Sequence, residues 1–198
     1  GALAGLPDQL DLPTDRSRPV RASMQGARVP FTINREVHQA AAEIARAHGT
    51  SLFMVMHAAL ALLLARLSSS TDIAVGTAIS GRGEREIDDV VGMFVNTLVL
   101  RTEVEMAEGF TALLAQVRNT DLAAFAHAEL PFERLVEELS PNRSQAHHPL
   151  FQVALDFQSA TDTTLRLPGL TVAPESFDAQ VAKFDLQLSL IEELDAEG

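Results

Sequence analysis

The hydrophobic positions of the chain change between helical and strand-like spacing, and this change predicts the elements one after another. Asn34 can cap a first helix, which Gly49 would end. Ser51 can cap a second helix, in which the run from Leu52 to Leu67 leaves no polar face. The second helix is therefore expected to lie in the core.

Two further helices are predicted in the second half of the chain. Apolar residues recur with helical spacing from Phe110 to Ala126. Pro131 can occupy the first turn of another helix, which would run to Leu139. All four helices are expected to cover a sheet.

Strands are predicted where apolar residues alternate with polar ones, or where short β-branched runs lie between turn residues. These segments are Val29 to Ile33, Asp72 to Ile79, Phe94 to Arg101, Pro149 to Phe157 and Phe184 to Ile191. Their order lacks the regular strand–helix alternation of a Rossmann fold. It predicts an α/β chain in the form of an α+β sandwich, with a mixed sheet flanked by helices.

Residues 1–28 differ from the rest of the chain in their proline content. Pro7, Pro13 and Pro19 lie among scattered charges, a composition that favours extended chain over a packed helix or a central strand. We interpret residues 1–28 as a linker and residues 29–198 as the folded lobe.

Composition narrows the possible partners and compartments. The 198 residues are 46% hydrophobic and carry a formal net charge of −12, which predicts one globular unit and argues against nucleic acid as a partner. The chain contains no Cys, so it has no disulfide or thiolate site, and a cytoplasmic setting fits best. His57 and Arg66 interrupt the longest apolar run, and no membrane span is expected.

Asn96 is the most informative polar residue of the sequence. It falls on the strand face that otherwise carries Phe94, Leu98 and Leu100. An amide among apolar positions needs hydrogen-bond partners, because leaving it unpaired would cost about 1–3 kcal/mol. The partners could lie within the fold or on a substrate, and the pattern leaves both open.

Two other polar features have ordinary structural interpretations. The turn of Ser80, Gly81 and Arg82 lacks the Gly-Lys-Ser/Thr sequence and the glycine spacing of known phosphate loops. Arg101 closes its strand and could pair with Glu133, although arginines at strand ends most often face solvent.

Histidine is the natural candidate for a general base, since its unperturbed pKa lies near neutrality. His147 and His148 are adjacent, but no aspartate follows at a useful spacing. We interpret the pair as a loop feature. The remaining histidines do not have the spacing of a metal site, so no bound metal is expected.

Five segments occur in the order of one family's motifs. Val91 to Arg101 reads VGMFVNTLVLR, and His127 to Leu139 reads HAELPFERLVEEL. Asn142 to Val153 (NRSQAHHPLFQV), Lys183 to Leu186 (KFDL) and Leu12 to Pro19 (LPTDRSRP) follow the same family's signatures. Together they resemble the condensation domains of nonribosomal peptide synthetases. One departure is that Ala128-Glu129 replaces the usual Gln-Asp pair.

The positions that match these motifs are expected to be structural rather than catalytic. They are Gly92, Phe94, Thr97, Arg101, Pro131, Phe132, Glu133, Arg143, Pro149, Phe184 and Asp185. The resemblance implies a two-lobed fold like that of chloramphenicol acetyltransferase, with a substrate tunnel between the lobes. We expect Asn96, Ser80, Gly81 and Arg82 to face that tunnel.

The family's catalytic motif, His-His-x-x-x-Asp-Gly, does not occur in this sequence. The resemblance places it on the amino-terminal lobe, so the chain is expected to be the carboxyl-terminal lobe, truncated before its final strand and helices. No catalytic residue is assigned here. The lobe alone is expected to be inactive and, with its interface uncovered, to self-associate.

The resemblance also implies a reaction and its partners. An acceptor amine would attack a donor thioester, with both substrates carried on phosphopantetheine arms, and a peptide bond would form. The expected partners are the amino-terminal lobe, donor and acceptor carrier domains and an adjacent adenylation domain. No cofactor is expected to bind the chain directly.

Two alternatives stay open on the same fold. One is an epimerization domain, and the other is a noncatalytic condensation-like module that recruits a partner enzyme. The segment from Arg143 to Val153 leans toward members that accept a D-configured donor. Substrate identities and the natural product cannot be inferred from these motifs.

Overall fold

The computed structural model describes residues 1–80, 90–139, 144–159, 169–170, 172 and 180–193. Within them the helices are α1 (Arg35–Ala47), α2 (Leu52–Ser68), α3 (Phe110–Phe125) and α4 (Phe132–Leu139). The strands are β1 (Asp72–Ser80), β2 (Val95–Glu103), β3 (Val153–Gln158) and β4 (Leu186–Ile191).

The four strands form one mixed sheet in the order β2-β1-β3-β4. β1 pairs antiparallel with β2 and parallel with β3, and β3 pairs parallel with β4. The predicted α/β class, a mixed sheet flanked by helices, is confirmed.

The predicted N-terminal caps of α1 and α2 are both present. The side-chain oxygen of Asn34 accepts a hydrogen bond from the Val37 backbone N–H at 2.9 Å. Ser51 does the same for Met54 at 3.2 Å. Each cap satisfies one of the N–H groups that a helix start leaves without an internal partner. Local sequence therefore sets where α1 and α2 begin.

The predicted strand from Val29 to Ile33 is wrong. These residues form no strand, and the side chains of Val29 and Phe31 are 84% and 59% exposed. An alternating pattern forms a strand only where another strand accepts its backbone hydrogen bonds. Pro30, which has no N–H group, weakens any such pairing.

The two faces of the sheet are covered differently. Ile73, Val75, Val153 and Leu155 point into a large core built with α1, α2 and α3. Strand side chains that point the other way, among them Ala154 on β3 and Val99 on β2, belong to a second cluster with α4. Because side chains alternate along a strand, the two clusters lie on opposite faces. We call them the helical face and the strap face.

Residues 1–28, named the strap here, are packed against the folded body over part of their length. Leu3 and Leu6 contact the cluster on the strap face. Leu10 is buried and, with Leu12, joins the core of the helical face. The strap therefore passes from one face of the sheet to the other.

Gly76 allows the Phe151 ring to pack closely against the sheet on the strap face. A Cβ atom at this position would lie 2.1–2.6 Å from three ring carbons of Phe151. The Phe151 ring thus rests directly on the backbone of β1. Any larger residue would displace the ring.

The helical face contains a buried polar pair. His57 on α2 and Asp121 on α3 are both fully buried, and the His57 Nδ1 lies 3.0 Å from the Asp121 Oδ1. In the sequence His57 is only a break in an apolar run and an unsuitable metal ligand, and its partner 64 residues away was not predicted. The contact joins the two helices inside the core.

No single helix among the described residues is long and apolar enough to cross a membrane. Together, α1 and α2 meet the length and composition requirements, but they are bent by 105° at the break between them.

Candidate functional site

Three of the motif segments meet in an aromatic cluster on the strap face. The His148 ring lies 5.5 Å from Phe132, 4.5 Å from Phe151 and 5.0 Å from Phe184, measured between centroids. Phe151 also contacts Phe132 and Phe184 at 5.9 and 5.3 Å. Such ring pairs each add about 0.5–1.5 kcal/mol beyond the area that they bury.

His148 is therefore part of a packed cluster within its loop. Its Nδ1 atom lies 2.8 Å from the Pro149 carbonyl oxygen, to which a neutral ring can donate. Burial among the aromatic rings lowers the pKa of His148 below its ordinary value of 6.5, against the opposing effect of its backbone hydrogen bonds. The ring is thus held in its neutral form, as a packing element.

Asn96 holds the connection between α3 and α4. Its Nδ2 donates to the carbonyl oxygens of Ala128 and Leu130, each at 2.8 Å. Its Oδ1 accepts from the backbone N–H groups of Phe132 and Thr97 at 3.2 and 2.8 Å. Both donors and both acceptor positions of the amide are used inside the chain. Asn96 therefore has hydrogen-bond partners within the fold, which is one of the two alternatives that the sequence left open.

Two of the four predicted tunnel residues, Ser80 and Asn96, lie at one end of the β1–β2 ladder. Ser80 pairs with Val95, and Ile79 pairs with Asn96. Ser80 and Asn96 are therefore neighbours at this end. Gly81 and Arg82 lie outside the described residues, and a contact of these four with a tunnel stays a prediction.

The apolar segment before β2 is largely exposed. Val91 and Met93 are 98% and 92% exposed, and Val95 is 63% exposed. Phe94 is half-buried, and a Cβ atom on Gly92 would come within 3.0 Å of its ring. The segment thus presents apolar surface next to Ser80 and Asn96.

Arg101 does not pair with Glu133, which is exposed on α4. Its Nε and Nη2 donate to the two carboxylate oxygens of Asp72 at 2.8 and 2.7 Å. Its Nη1 donates to the carbonyl oxygens of Ala2 and Ala4, each at 2.9 Å. The five donors of a guanidinium let one side chain bind a carboxylate and a turn of the strap together.

Gln152 is a second anchor of the strap, a role that the sequence did not predict. Its Oε1 accepts from the Leu10 N–H at 2.7 Å, and its Nε2 donates to the carbonyl oxygens of Asp8 and His148. The residue is buried. A Gln between Phe151 and Val153, inside a predicted apolar strand, is the signal that could have drawn attention to it.

Arg18 and Asp185, both in motif segments, form a bidentate ion pair. The Arg18 Nη1 donates to the Asp185 Oδ1 at 2.9 Å, and its Nη2 donates to Oδ2. Hydrogen bonding to Asp185 raises the pKa of Arg18 above its ordinary value. The strap and the start of β4 are thereby joined.

Two of the remaining motif residues make backbone hydrogen bonds, and the structural role expected of the set stays a prediction. Pro131 precedes α4, and its carbonyl accepts from Arg134 and Leu135. The Pro149 carbonyl accepts from Phe151 at 2.9 Å. Arg143 lies outside the described residues. Within the described ranges, no group of three potential metal ligands occurs.

The comparisons with known proteins cover the whole chain. The model of the condensation domain family matches residues 1–197. A probable non-canonical nonribosomal peptide synthetase, CymA of Salinispora arenicola, is 48% identical over all 198 residues. A dimodular nonribosomal peptide synthase of Bacillus subtilis is 48% identical over 99% of the chain. The chain spans only 2% and 8% of the lengths of these relatives.

The X-domain from teicoplanin biosynthesis has a similar structure. Its TM-score is 0.91 with 27% identity, over 98% of this chain and 44% of that one. In its complex with OxyB the same domain matches with a TM-score of 0.89 and 28% identity, over 98% of this chain and 42% of that one. Sequence and structure agree, and the chain belongs to the condensation domain family of nonribosomal peptide synthetases.

Proposed function

We propose that this chain is the carboxyl-terminal lobe of a condensation domain and forms one wall of its substrate tunnel. In this proposal residues 29–198 are the lobe, and residues 1–28 connect it to the amino-terminal lobe. The observation that carries the proposal is the meeting of the family's motif segments around His148, in a chain that matches the family model over residues 1–197.

The reaction would be acyl transfer between two carrier-bound substrates. The acceptor amine attacks the thioester carbonyl of the donor, a C–N bond forms, the C–S bond breaks and the thiol of the donor's phosphopantetheine arm leaves. The amine loses a proton in the process. The chain lacks the His-His-x-x-x-Asp-Gly motif, so the other lobe supplies the catalytic histidine.

The contribution of this lobe would be positioning. Holding two tethered reactants in a reactive geometry can supply about 7–11 kcal/mol of the barrier. Ser80 and Asn96 share one end of the β1–β2 ladder, beside the exposed apolar side chains of Val91 and Met93. This end suits a tunnel wall that closes against the other lobe. The partners would be that lobe, the two carrier domains and the adenylation domain.

The proposal is tested by complementing the chain with its amino-terminal lobe. The purified chain is mixed with loaded donor and acceptor carriers, with and without the separately expressed lobe, and dipeptidyl carrier is measured by intact-protein mass spectrometry. Product should form only when both lobes are present. Replacing the second motif histidine of the other lobe should abolish it. Product from the chain alone would contradict the proposal.

A second candidate is a noncatalytic recruitment module. It is favoured by the X-domain match, since that domain has been solved in complex with OxyB. This candidate predicts that the complete two-lobed domain binds a partner enzyme and makes no peptide bond. The complementation experiment separates the two candidates, because only condensation yields dipeptidyl carrier.

A further inference from the structure

Two parts of the strap, residues 1–12 and residues 18–26, are held in different ways. Residues 1–12 contribute four leucines to the two clusters, and the polar groups around them are anchored by Gln152 and Arg101. Within the part of the chain that the structure describes, residues 18–26 contribute no side chain to either cluster. We call the first part the anchored half and the second part the flap.

Among the described residues, the flap is held by the ion pair of Arg18 and a few backbone hydrogen bonds. Arg18 binds Asp185 and also donates to the Ala146 carbonyl at 3.2 Å. The Ala22 N–H donates to the Gln145 carbonyl at 2.8 Å. Each ion-pair side chain retains about a quarter of its exposure, 25% for Arg18 and 27% for Asp185. Water and salt can therefore compete for the pair.

The end of the flap is attached through backbone groups. Gly26 donates to the Gln180 carbonyl at 3.1 Å, and Ala182 donates to the Met24 carbonyl at 2.9 Å. Met24 has φ +58°, a left-handed conformation that is costly for a residue with a Cβ atom. A Cβ atom on Gly26 would lie 2.6 Å from the Cβ of Ala182. The flap therefore closes in a strained conformation that depends on a glycine.

We propose that residues 18–26 are a flap that opens and closes while residues 1–12 remain fixed, with Arg18 and Asp185 as its latch. The closed flap covers the loop of Gln145 and Ala146, which leads to His148, and residues 180–185 before β4. Opening exposes the backbone groups of Gln145, Ala146, Gln180 and Ala182 to water. This device depends only on contacts within the chain, not on the reaction proposed above.

Hydrogen–deuterium exchange of the intact chain tests the proposal. Arg18→Gln and Asp185→Asn each weaken the latch, and exchange at the Ala22, Gly26 and Ala182 amides should rise roughly fivefold. The Leu10 amide, bound to Gln152, should keep its rate. Arg16→Gln removes the same charge from an exposed strap position and should change none of these amides.

Two further variants check the mechanism. Exchanging the charges, with Arg18→Asp and Asp185→Arg together, should restore most of the protection that either single change removes. Gly26→Ala leaves the ion pair in place, but its new methyl group meets Ala182, so the Gly26 and Ala182 amides should exchange faster. Higher salt should act like Arg18→Gln on the wild-type chain, because the pair is partly exposed.

Two outcomes would overturn the proposal. Unchanged exchange at Ala22 and Ala182 in Arg18→Gln would show that the ion pair does not hold the flap. Equal acceleration at Leu10 and in the central strands would show general loosening of the fold. Neither result bears on peptide-bond formation, so the flap and the proposed activity are tested separately.

Discussion

The helical face and the strap face of the same sheet are stabilised by different means. On the helical face, consecutive secondary-structure elements bury a continuous apolar core around one polar pair, His57 and Asp121. On the strap face, much of the cover is irregular chain, whose backbone groups must find partners outside a helix or strand. Arg101 and Gln152 supply these partners.

This difference explains what several motif residues do. Asn96, Arg101, Gln152 and Asp185 all bind backbone groups or side chains of segments that lie far away in the sequence. A motif residue on this face therefore fixes the path of the chain. Their role in the described structure is to hold irregular segments in place.

The largest expected effect comes from breaking the polar pair of the helical face. Asp121→Ala leaves the fully buried His57 Nδ1 without its hydrogen-bond partner, which costs about 1–3 kcal/mol, and the removed carboxylate also leaves a gap in the core that adds to the loss. Urea unfolding would measure the loss. Replacing both residues by leucine should restore much of the stability. A loss below about 1 kcal/mol for the single variant would show that the pair tolerates disruption.

Gly76→Ala should destabilise the strap face next. The added methyl group overlaps the Phe151 ring, and overpacking of a core costs about 1–3 kcal/mol. The midpoint of urea unfolding should fall, with partial recovery in Gly76→Ala/Phe151→Leu. Gly109→Ser adds a side chain where a Cβ atom meets nothing within 4 Å, at the N-cap of α3, so in this control the midpoint should not fall. Equal midpoints for wild type and Gly76→Ala would contradict the packing described here.

Asn96→Ala should destabilise the connection between α3 and α4. It removes the partners of the Phe132 N–H and of two carbonyl groups, and the expected cost is about 1–3 kcal/mol. Amide exchange at Phe132 should accelerate while exchange in α2 stays unchanged. Asn119→Ala, at an exposed position of α3, is the matched control. If Asn96→Ala lowered peptide formation in the intact synthetase without changing stability, a direct tunnel role would be favoured instead.

The smallest expected effect is a pH dependence that comes from His148. Its pKa is lowered in the folded state, so the unfolded chain takes up the proton first as pH falls. The folded state therefore loses stability as pH falls below about 6.5, the ordinary histidine value, until the folded-state pKa is passed. His148→Phe should remove this part of the pH dependence in urea unfolding at a series of pH values. His127→Gln, at an exposed site, should retain it.

The sequence predicted most elements of the fold but not every strand. Caps at Asn34 and Ser51 and the periodicity of α3 are local signals, and the structure confirms them. The segment from Val29 to Ile33 has a strand pattern but pairs with no strand of the described ranges. Pattern alone cannot supply a pairing partner, because the partner depends on topology.

The candidate site was predicted only in part for the same reason. The motifs singled out Asn96, Arg101 and Asp185, but neither interpretation of Arg101, exposure to solvent or a pair with Glu133, matches the structure. Its actual partners, Asp72 and the carbonyl groups of residues 2 and 4, lie 29 to 99 residues away. No spacing rule for helices or strands reaches that far.

By itself, the sequence determined the helix boundaries, the mixed α/β class and the family, because these depend on contacts within a few residues or on contiguous motifs. Only the tertiary structure decided the partners of the polar residues. His57 meets Asp121 across 64 residues, and Arg18 meets Asp185 across 167. Such contacts follow from the order of strands in the sheet and the path of the strap, which bring distant segments together.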